Sequence, residues 1–568
     1  MFYRLILFRL PFKPYNRLMK KYLGLAAILL IALAYQGGQM YSGMEVTGFV
    51  GAIDDAYYYF QIARNIATGH GSSFDGENPT NGYHPLWMAI NVLVYWLMPG
   101  QNIAPIVFLK IISAGLFLGS IFLLWRLLGK ISDNDWLKTT LLFFYILAPI
   151  NLQFSNDGLE TALVLFLFLG FYLKFLSALE NPSAKNHLLL GLLGGLMVLG
   201  RTDYVIFALA AFLYIFIAKK ENRWRNCALL AVGFLPVILP WILINILKFG
   251  MLLPSSGLAY TRINHDWFFS KPRTAIQVAL WGGYQFSSNV IFFILNAIGF
   301  PLPEFPVVNP KIVLTVCAGL AAAALLWFWW FVWKKRQTAF WEIFFRSQLG
   351  QSFLVLLTGF LGLTILHGGI RWSGRPWYYI TAPVFLAVGA ALFLEKIFET
   401  KHWIWKKSLL LFFIAAAALS YKTYADRLNI ASSFGPREVE KYRSAIWISK
   451  NLPENARIAS FNSGVIGYFA KRFVMNSDGL VNNSAYKYMR DHKPLWLLFK
   501  EKNIDYLADT ERTLDRGRII WIGTNPISHL KMIYTDEVLH DPNSAQNVYR
   551  VLFYEPFNLY YPNKKIAS

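Results

Sequence analysis

Two adjacent aspartates, Asp54 and Asp55, are the residues of this chain best suited to chemistry. They follow the first long apolar stretch directly, in a sequence that is otherwise poor in charge. Carboxylates next to hydrocarbon are energetically unfavourable, so their presence at this point favours a functional role. An aspartate held close to a substrate hydroxyl can accept its proton as a general base. The pair therefore predicts a proton-transfer site where the chain first leaves a membrane.

A structural role for the same pair is the alternative. Acids suit the N-terminus of a helix, where their charge complements the free backbone N–H groups. The aromatic segment over 56–68 is predicted to be such a helix. One acid is enough for a cap, however, and two adjacent carboxylates repel each other. We therefore expect catalysis from the pair and leave open that one of the two acids caps the helix.

The first polar loop, residues 41–101, contains further candidates. Its turn over 79–87 is rich in Pro, Gly and Asn and leads into a short apolar helix at 86–98. This helix is too short to cross a bilayer comfortably, so we expect it to lie along the membrane surface. Within the turn, Tyr83 and His84 are candidates for contact with a substrate, although such a histidine is more commonly an ordinary interfacial residue.

The composition is that of a membrane protein with many spans. Of the 568 residues, 56% are hydrophobic and 15% are charged, whereas a soluble domain has about 25% charged residues. The net charge is +22, and nucleic-acid binding is the usual alternative for such a basic chain. Here the basic residues cluster between apolar segments, which indicates membrane topology and excludes a nucleic-acid partner. The two cysteines, Cys227 and Cys317, form no CxxC motif and predict neither a disulfide framework nor a thiolate metal site.

About eleven apolar segments are long enough to be spans. The basic clusters between them follow the positive-inside rule, with the N-terminus cytoplasmic and the C-terminus on the outer face. The basic N-terminus, with no cleavage site, predicts a cytoplasmic tail and a signal-anchor helix. The interrupted apolar segment 274–300 is predicted to be an outer-face helix or one more span. The predicted spans are 22–40, 102–128, 137–154, 159–178, 187–201, 203–218, 226–247, 311–333, 351–367, 378–395 and 408–424.

The fold class that follows is mostly α, with two domains. Residues 1–424 are predicted to form a polytopic transmembrane helical bundle, and 425–568 a soluble extracytoplasmic α/β domain. In the second domain, apolar residues recur at helical spacing over 437–450. Alternating apolar segments at 458–461 and 548–553 are bounded by turn residues and predict strands. The length of this region is sufficient for one soluble domain.

The predicted topology brings other polar residues to the outer face. Asp157 and Glu160 stand at the start of one apolar segment, and Arg201 and Asp203 lie between two others. Acids and arginines at membrane depth normally pair, so Arg201 with Asp203 or Glu160 is one interpretation. An arginine can instead bind a phosphate through two parallel hydrogen bonds. The remaining candidates on this face are Tyr59, Tyr260, Arg262, Arg371, Arg375 and Tyr378.

The order of these motifs resembles the GT-C glycosyltransferases. The resemblance consists of a double acid after the first span, then Ile62-Ala63-Arg64, then the turn Gly82-Tyr83-His84-Pro85. The protein O-mannosyltransferases, the lipid A aminoarabinose transferases and the mycobacterial terminal arabinofuranosyltransferases are similar in this way. Similarity to the last of these covers residues 54–57, 63–65, 69–71 and 158–161, and continues weakly in 461–469 and 476–482.

The resemblance implies an inverting glycosyltransferase of the bacterial inner membrane. The donor would be a polyprenyl-phosphate sugar, its lipid tail lying among the spans, and the acceptor a hydroxyl of a glycan, a lipid or a protein. Asp55 corresponds to the catalytic acid, with Asp54 beside it, and His84 to the position of a phosphate-binding lysine. The donor phosphate is assigned to His84, Arg201, Arg262, Arg371 and Arg375. Contacts to the substrates are assigned to Tyr59, Tyr83, Asp157, Glu160, Tyr260 and Tyr378.

No cofactor is required by this hypothesis. Some relatives use a divalent cation, which here would bridge Asp55 and Glu160 to the phosphate. Two other functions account for part of the sequence. A transporter or flippase for lipid-linked sugars would explain many spans and intramembrane charge, but not the acidic outer loop or the soluble domain. An inactive scaffold would need the soluble domain to bind a partner and would not need Asp55.

Overall fold

The computed structural model describes residues 15–47, 52–100, 103–218, 222–269, 272–285, 347–372, 375–399, 436–511, 513–514, 530–535 and 546–551. Its first helices are α1 (Tyr15–Thr47), α2 (Asp54–Ala67), α3 (Pro85–Leu97), α4 (Ala104–Leu128), α5 (Asp135–Leu147), α6 (Pro149–Phe154), α7 (Thr161–Glu180), α8 (Ala184–Gly200), α9 (Val205–Ala218), α10 (Arg223–Ile244) and α11 (Ser255–Phe269).

The later part of the described chain contains shorter helices and a sheet. The helices span 275–285, Gln348–Thr364, Ala382–Glu399, Pro436–Asn451, Gly464–Phe469, Asn483–Arg490 and Leu495–Glu501. Short helical segments of 3₁₀ or π type span Thr202–Tyr204, Asn245–Phe249, Ile365–Ile370 and Pro376–Tyr379. The strands are β1 (Arg457–Ser460), β2 (Phe473–Asn476), β3 (Tyr506–Thr510), β4 (Leu530–Thr535) and β5 (Gln546–Val551).

By length and composition, several described helices can cross a membrane. They are Ala104–Leu128, Thr161–Glu180, Arg223–Phe249, Gln348–Ile370 and Pro376–Glu395. Shorter apolar helices occupy other predicted spans, including 22–38 and 184–200. The predicted spans 311–333 and 408–424, and most of 274–300, lie outside the described residues. The total of about eleven spans therefore stays a prediction.

One predicted span is divided in the structure. The segment 137–154 forms two helices, α5 and α6, which meet at Ala148 and Pro149. Proline has no N–H to continue the hydrogen-bond ladder, and it restricts the residue before it to extended backbone. Ala148 has that extended conformation, so the short helix α6 starts in a new direction. In the loop that follows it, Gly158 lies against Ala56 and Phe60 of α2.

Glycines bring two helices of the bundle close together. A Cβ atom at Gly191 of α8 would lie 2.2 Å from the carbonyl oxygen of Leu230 in α10. A Cβ at Gly233 of α10 would meet the carbonyl oxygen of Leu188 at the same distance. Small residues at such crossings allow the backbones to pack in contact, which is the usual way helices associate in lipid.

The C-terminal region forms a mixed sheet in the order β2-β1-β3-β5-β4. β1 pairs in parallel with β2 and β3, and β5 pairs antiparallel with β3 and β4. Apolar side chains of β1 and β5 pack against the helix Pro436–Asn451. The α/β fold expected for this region is confirmed, and the helix and both strands lie within a few residues of their predicted bounds. We call the described residues 436–551 the sheet domain.

The sheet domain packs directly on the first polar loop. Its helix Gly464–Phe469 lies against α2, where the Tyr57 ring is 5.5 Å from the rings of both Tyr468 and Phe469. The Tyr468 hydroxyl is also 2.8 Å from the hydroxyl of Tyr95 in α3. Because Tyr57, Tyr95 and Tyr468 are buried and Phe469 is partly buried, the contact is aromatic and closely packed. The domain therefore forms part of the surroundings of Asp55.

Gly464 is predicted to be essential for this contact. A Cβ atom there would lie 2.0 Å from the backbone carbonyl oxygen of Asp54, a distance that requires the two elements to move apart. We expect Gly464→Ala to lower the free energy of unfolding by about 1–3 kcal/mol, measured by thermal unfolding in detergent. The control is Gly115→Ala in α4, where a Cβ meets no atom within 4 Å. Equal unfolding temperatures for the two variants would contradict the prediction.

Candidate active site

A cavity of about 790 Å³ lies between α2, the ends of the bundle helices and the sheet domain. Most of the candidates from the sequence line it: Asp55, Tyr59, Tyr83, His84, Glu160, Arg201, Tyr260, Arg371, Arg375 and Tyr378. Three candidates do not line it, namely Asp54, Asp157 and Arg262. The structure therefore brings most of the predicted residues to one cavity and separates them from the three that do not reach it.

The helix α2 presents one face to the cavity. Asp55, Tyr58, Tyr59 and Ile62 all line it, and this spacing places them on one side of an α-helix. The opposite side, including Tyr57 and Phe60, is fully buried against the sheet domain and α3. Burial of that side fixes the rotation of the helix and so directs the Asp55 side chain into the cavity.

The side chain of Asp55 lines the cavity and is set apart from the other acids there by its lack of partners among the residues that the structure describes. Within the described residues, its carboxylate accepts no hydrogen bond. Burial raises the pKa of Asp55 above its ordinary value, Arg375 opposes this effect, and the neighbouring Asp54 adds to it. A carboxylate with a raised pKa and unoccupied lone pairs is a better proton acceptor than one held by hydrogen bonds.

Asp54 has a different function from its neighbour. Its Oδ1 accepts a hydrogen bond from Val465 N at 2.9 Å and lies 3.2 Å from Lys441 Nζ. It thereby caps the helix Gly464–Phe469. Burial is the largest influence and opposes a charge on Lys441, but Asp54, Glu438 and Asp509 together outweigh it, so the pKa of Lys441 is raised. The assignment of Asp54 as a catalytic residue is corrected by this geometry: it joins the sheet domain to α2.

The expected cap at the start of α2 is also corrected. The helix begins at Asp54 and its N-cap is Ile53, with no side-chain hydrogen bond to the first turn. A carboxylate in the first turn still interacts favourably with the helix dipole. The expected cap on α2 is therefore not formed, and Asp54 instead accepts a hydrogen bond from the first turn of the helix Gly464–Phe469.

Two arginines give the cavity a positive wall. The Nε of Arg371 donates to Thr261 Oγ1 at 2.9 Å, and its Nη2 donates to the Gly257 carbonyl at 2.8 Å. Arg375 lies over the ring of Tyr260, 5.2 Å from its centroid. Neither guanidinium has a carboxylate within ion-pair distance in the described part of the chain. Their positive charges are therefore not neutralised by an ion pair, and an anion in the cavity can interact with both. We call the surface formed by Arg371 and Arg375 the arginine wall.

Arg201, by contrast, is fully paired. Its Nη1 is 2.7 Å from Glu160 Oε1 and its Nη2 is 2.9 Å from Asp203 Oδ2. Asp203 Oδ2 is in turn 2.7 Å from His367 Nε2. All of these groups are almost completely buried. The interpretation of Arg201 as a structural ion pair fits this geometry. Because Arg201 also lines the cavity, its assignment to the donor phosphate stays a prediction.

His84 is held at the edge of the same network. Its Nδ1 accepts a hydrogen bond from Thr202 N at 3.3 Å, which leaves Nε2 as the N–H, 3.5 Å from Glu160 Oε1. Burial lowers the pKa of His84, so the ring is neutral at pH 7. A neutral ring can donate one hydrogen bond but provides no positive charge for a phosphate. The network thus positions His84 without making it equivalent to a lysine.

Two further candidates have local structural functions. Arg262 Nε is 2.7 Å from Asp266 Oδ2, one turn along the same helix, and its Nη2 contacts His492 outside the cavity. Asp157 Oδ1 accepts a hydrogen bond from Leu159 N at 2.9 Å. Burial raises the pKa of Asp157 to about 7. The assignments of Arg262 to the phosphate and of Asp157 to a substrate are corrected accordingly.

The sequence suggested that the C-terminal domain binds the acceptor or packs over the site, but it identified no residue of this domain at the cavity. Phe461, Asn462, Asp478 and Thr513 all line it. A signal was present, since Asp478 belongs to the run 476–482 in which similarity to the arabinofuranosyltransferases continues. A short polar run between a strand and a helix does not by itself indicate which surface it faces. The bundle residues Tyr58 and Trp377 were not identified either.

The described residues offer few free donor atoms for the divalent cation that the resemblance allows. Within the described residues there is no group of three or more Asp, Glu, His or Cys side chains that could hold a metal ion. Glu160 is paired with Arg201 and accepts a hydrogen bond from the Tyr59 hydroxyl at 3.1 Å. A cation between Asp55 and Glu160 would therefore compete with Arg201 for the same carboxylate.

The fold is similar to that of several solved structures. An oligosaccharyltransferase from Archaeoglobus fulgidus, in complex with Zn and sulfate, matches with a TM-score of 0.53 at 15% identity, over 89% of this chain and 71% of the other. ArnT from Cupriavidus metallidurans, bound to undecaprenyl phosphate, matches with a TM-score of 0.54 at 11% identity, over 92% of this chain and 97% of the other.

Another structure of the Archaeoglobus fulgidus oligosaccharyltransferase AglB holds an inhibitory peptide and a dolichol-phosphate. It has a TM-score of 0.50 at 15% identity, over 93% of this chain and 74% of that one. Residues 429–554 match the family model of a domain of unknown function, DUF8728. No curated protein sequence matches the chain. The chain therefore shares the fold of these solved structures, the oligosaccharyltransferase from Archaeoglobus fulgidus and ArnT from Cupriavidus metallidurans.

Proposed function

We propose that this protein is a membrane glycosyltransferase that moves a sugar from a polyprenyl-phosphate donor to an acceptor hydroxyl. The observation that carries the proposal is one cavity that contains both Asp55 and the arginine wall. The structural neighbours with bound undecaprenyl phosphate and dolichol-phosphate support a donor of this class. We place the reaction at the outer face of a bacterial inner membrane, with a cytoplasmic N-terminus.

Asp55 acts as the general base. As the acceptor oxygen attacks the anomeric carbon, its proton passes to the Asp55 carboxylate, and the bond from that carbon to the donor phosphate breaks. A single displacement inverts the configuration at the anomeric carbon. Base catalysis by a positioned carboxylate accelerates such a step by about 10²–10⁴-fold. The departing polyprenyl phosphate carries the electron pair of the broken bond.

The arginine wall stabilises that leaving group. Negative charge increases on the phosphate as the bond breaks, and guanidinium groups can bind phosphate through parallel hydrogen bonds. Thr261 and the Gly257 carbonyl already hold Arg371 in place, so little reorganisation is needed during the reaction. Arg375 is close enough to Asp55 to lower its pKa, so the positive charge of Arg375 lies beside the reacting atoms.

The buried ion-pair network positions the residues between these groups. Glu160 accepts a hydrogen bond from the Tyr59 hydroxyl. That hydroxyl in turn accepts a hydrogen bond from the backbone N–H of His84 at 3.0 Å. The turn that contains His84 is thus held against α2. We assign Tyr59 and Glu160 to positioning, and Tyr83, Tyr260 and Tyr378 to contact with the substrates.

Release of polyprenyl phosphate by the purified protein in detergent tests this function. A panel of polyprenyl-phosphate sugars serves as donors, with transfer to water as the readout when no acceptor is known. The double variant Arg371→Gln, Arg375→Gln is expected to weaken donor binding by about tenfold or more. Its control is Arg262→Gln, which removes a neighbouring cation that does not line the cavity.

Two results would contradict the proposal. If wild-type protein cleaves none of the donors but moves them across a proteoliposome membrane, the protein is a transporter of lipid-linked sugars. If Arg262→Gln weakens donor binding as strongly as the double variant, the phosphate does not lie at the arginine wall.

The rate of transfer is predicted to fall in mild acid. Asp55 must be ionised to accept a proton, and its pKa is raised, so protonation begins above the usual aspartate range of about 4. Activity is therefore present at higher pH and lost as the pH decreases through the raised pKa. The measurement is kcat/KM against pH with a fixed donor. A rate that stays constant down to about pH 4 would contradict the prediction.

A further inference from the structure

The wall of the cavity formed by the sheet domain differs chemically from the arginine wall. Among the described residues, this domain contributes Phe461, Asn462, Asp478, Leu480, Val481 and Thr513 to the lining. It thus offers an aromatic ring, an amide, a carboxyl and a hydroxyl, and none of these side chains is basic. The cavity therefore has a cationic side and a side made of acidic, neutral polar and apolar groups.

Asp478 is fixed at the base of this second wall. It follows β2, and its Oδ1 accepts a hydrogen bond from Leu480 N at 2.9 Å. Gly479 between them has φ = +74°, a conformation that residues with a side chain rarely adopt. Only 7% of Asp478 is exposed, although it lines the cavity. The Asn476 side chain also donates a hydrogen bond to this carboxyl, which is thus held rigidly at the cavity wall.

Asn462 is oriented by the domain behind it. Its Nδ2 donates to Asp509 Oδ1 and to Thr513 Oγ1, each at 3.4 Å. Asp509 is completely buried and also accepts a hydrogen bond from Phe461 N at 2.7 Å. Both protons of the Asn462 amide are directed to these partners, so its oxygen is the atom left to accept a hydrogen bond from a ligand.

We propose that the sheet domain binds the acceptor, and that the acceptor is a neutral carbohydrate held by Asp478 and Asn462 beside Asp55. This inference rests on the proposed function and specifies its second substrate. A sugar hydroxyl both donates and accepts hydrogen bonds, so neighbouring hydroxyls satisfy a carboxyl and an amide oxygen together. Phe461 and Leu480 provide apolar surface for the C–H groups of a sugar ring.

Charge argues against the other acceptor classes. A phosphate acceptor would place an anion beside Asp55 and Asp478, where it would be repelled. An ammonium group would pair with these acids, but it has no lone pair with which to attack the donor. Burial raises the pKa of Asp478 well above its ordinary value, and Asp55 and Asp54 add to the effect. The negative charge of a phosphate would oppose ionisation of these carboxyl groups further, whereas an uncharged hydroxyl would not.

The test measures acceptor binding and transfer separately, with the full-length protein in detergent. Binding of a panel of neutral oligosaccharides is followed by calorimetry without donor, and transfer is then measured with a cleavable polyprenyl-phosphate sugar. Asp478→Asn is expected to weaken binding of the oligosaccharide, and to raise its KM, by about tenfold or more. The affinity for the donor should stay within about twofold, which also shows that the variant is folded.

Asp478→Asn preserves Oδ1 as the acceptor for Leu480 N, so the turn is retained. The matched control is Asp491→Asn, an exposed aspartate of the same domain whose ion pair is with Arg490. Unchanged oligosaccharide affinity in Asp478→Asn, or transfer only to a phosphorylated lipid or to a peptide, would overturn the inference. Oligosaccharide binding that depends on Asp478 in a protein that cleaves no donor would support the acceptor site and contradict the proposed transferase function.

Discussion

Replacement of Asp55 by asparagine is expected to lower the rate of sugar transfer by about 10²–10⁴-fold. The amide has almost the same shape as the carboxylate but cannot accept the acceptor proton. Since Asp55 accepts no hydrogen bond within the described residues, its replacement breaks no structural contact that we observe. The folded state and donor binding should therefore be retained. The measurement is single-turnover transfer at saturating donor, with donor affinity determined independently.

Asp54→Asn is the matched control, because it converts the carboxylate of the adjacent residue to an amide in the same way. Its expected effect is on stability: an amide cannot pair with Lys441, so this buried lysine is left without its closest anion. Transfer per folded molecule should fall by much less than in Asp55→Asn. Full activity in Asp55→Asn would exclude Asp55 as the base, and equal losses in the two variants would show that the pair acts as a structural unit.

The second large effect is expected from Arg201→Gln. This substitution leaves Glu160 and Asp203 buried without their common cation. Removal of one partner from a buried ion pair costs about 3–5 kcal/mol, most of it because the remaining charge is uncompensated. We expect a marked decrease in the unfolding temperature in detergent. Loss of activity should follow, because Glu160 positions Tyr59 and the turn at His84.

An exposed ion pair provides the comparison. Lys130 Nζ is 2.7 Å from Glu180 Oε2, and about a third or more of each side chain is accessible. Pairs of this type contribute about 0–1 kcal/mol, because water solvates the separated charges. Lys130→Gln should therefore change the unfolding temperature only slightly. Similar unfolding temperatures for the two variants would show that the Arg201 network does not stabilise the bundle.

Local patterns explain why α2, α3 and most residues of the cavity wall could be predicted from the sequence. Helical spacing, a proline at the first position of α3 and a pair of acids after an apolar stretch are all features of neighbouring residues. The apolar character of the bundle was similarly clear. The division of 137–154 into two helices was missed because the periodicity on both sides of Pro149 is equally apolar.

Side-chain partners could be predicted only where they are close in sequence. Arg262 and Asp266 are four residues apart on a helix, a spacing that often forms an ion pair, so this correction could have been anticipated. The difference between Asp54 and Asp55 could not, because Val465, the residue that Asp54 caps, is 411 positions away. Asp478 belongs to the same class: its place in the cavity depends on how the sheet domain docks.

That separation of 411 positions also determines when the protein can first become active. Ribosomes add about 5–20 residues per second, so Val465 is synthesised about 20–80 s after Asp54. During this interval the bundle helices can fold. However, α2 still lacks the rings of Tyr468 and Phe469 on which it packs and the Lys441 ammonium that pairs with Asp54. A nascent chain therefore has an incomplete site until its last quarter has been made. Premature termination in that region would leave an inactive membrane protein with an exposed aromatic surface, a form that quality-control proteases can recognise.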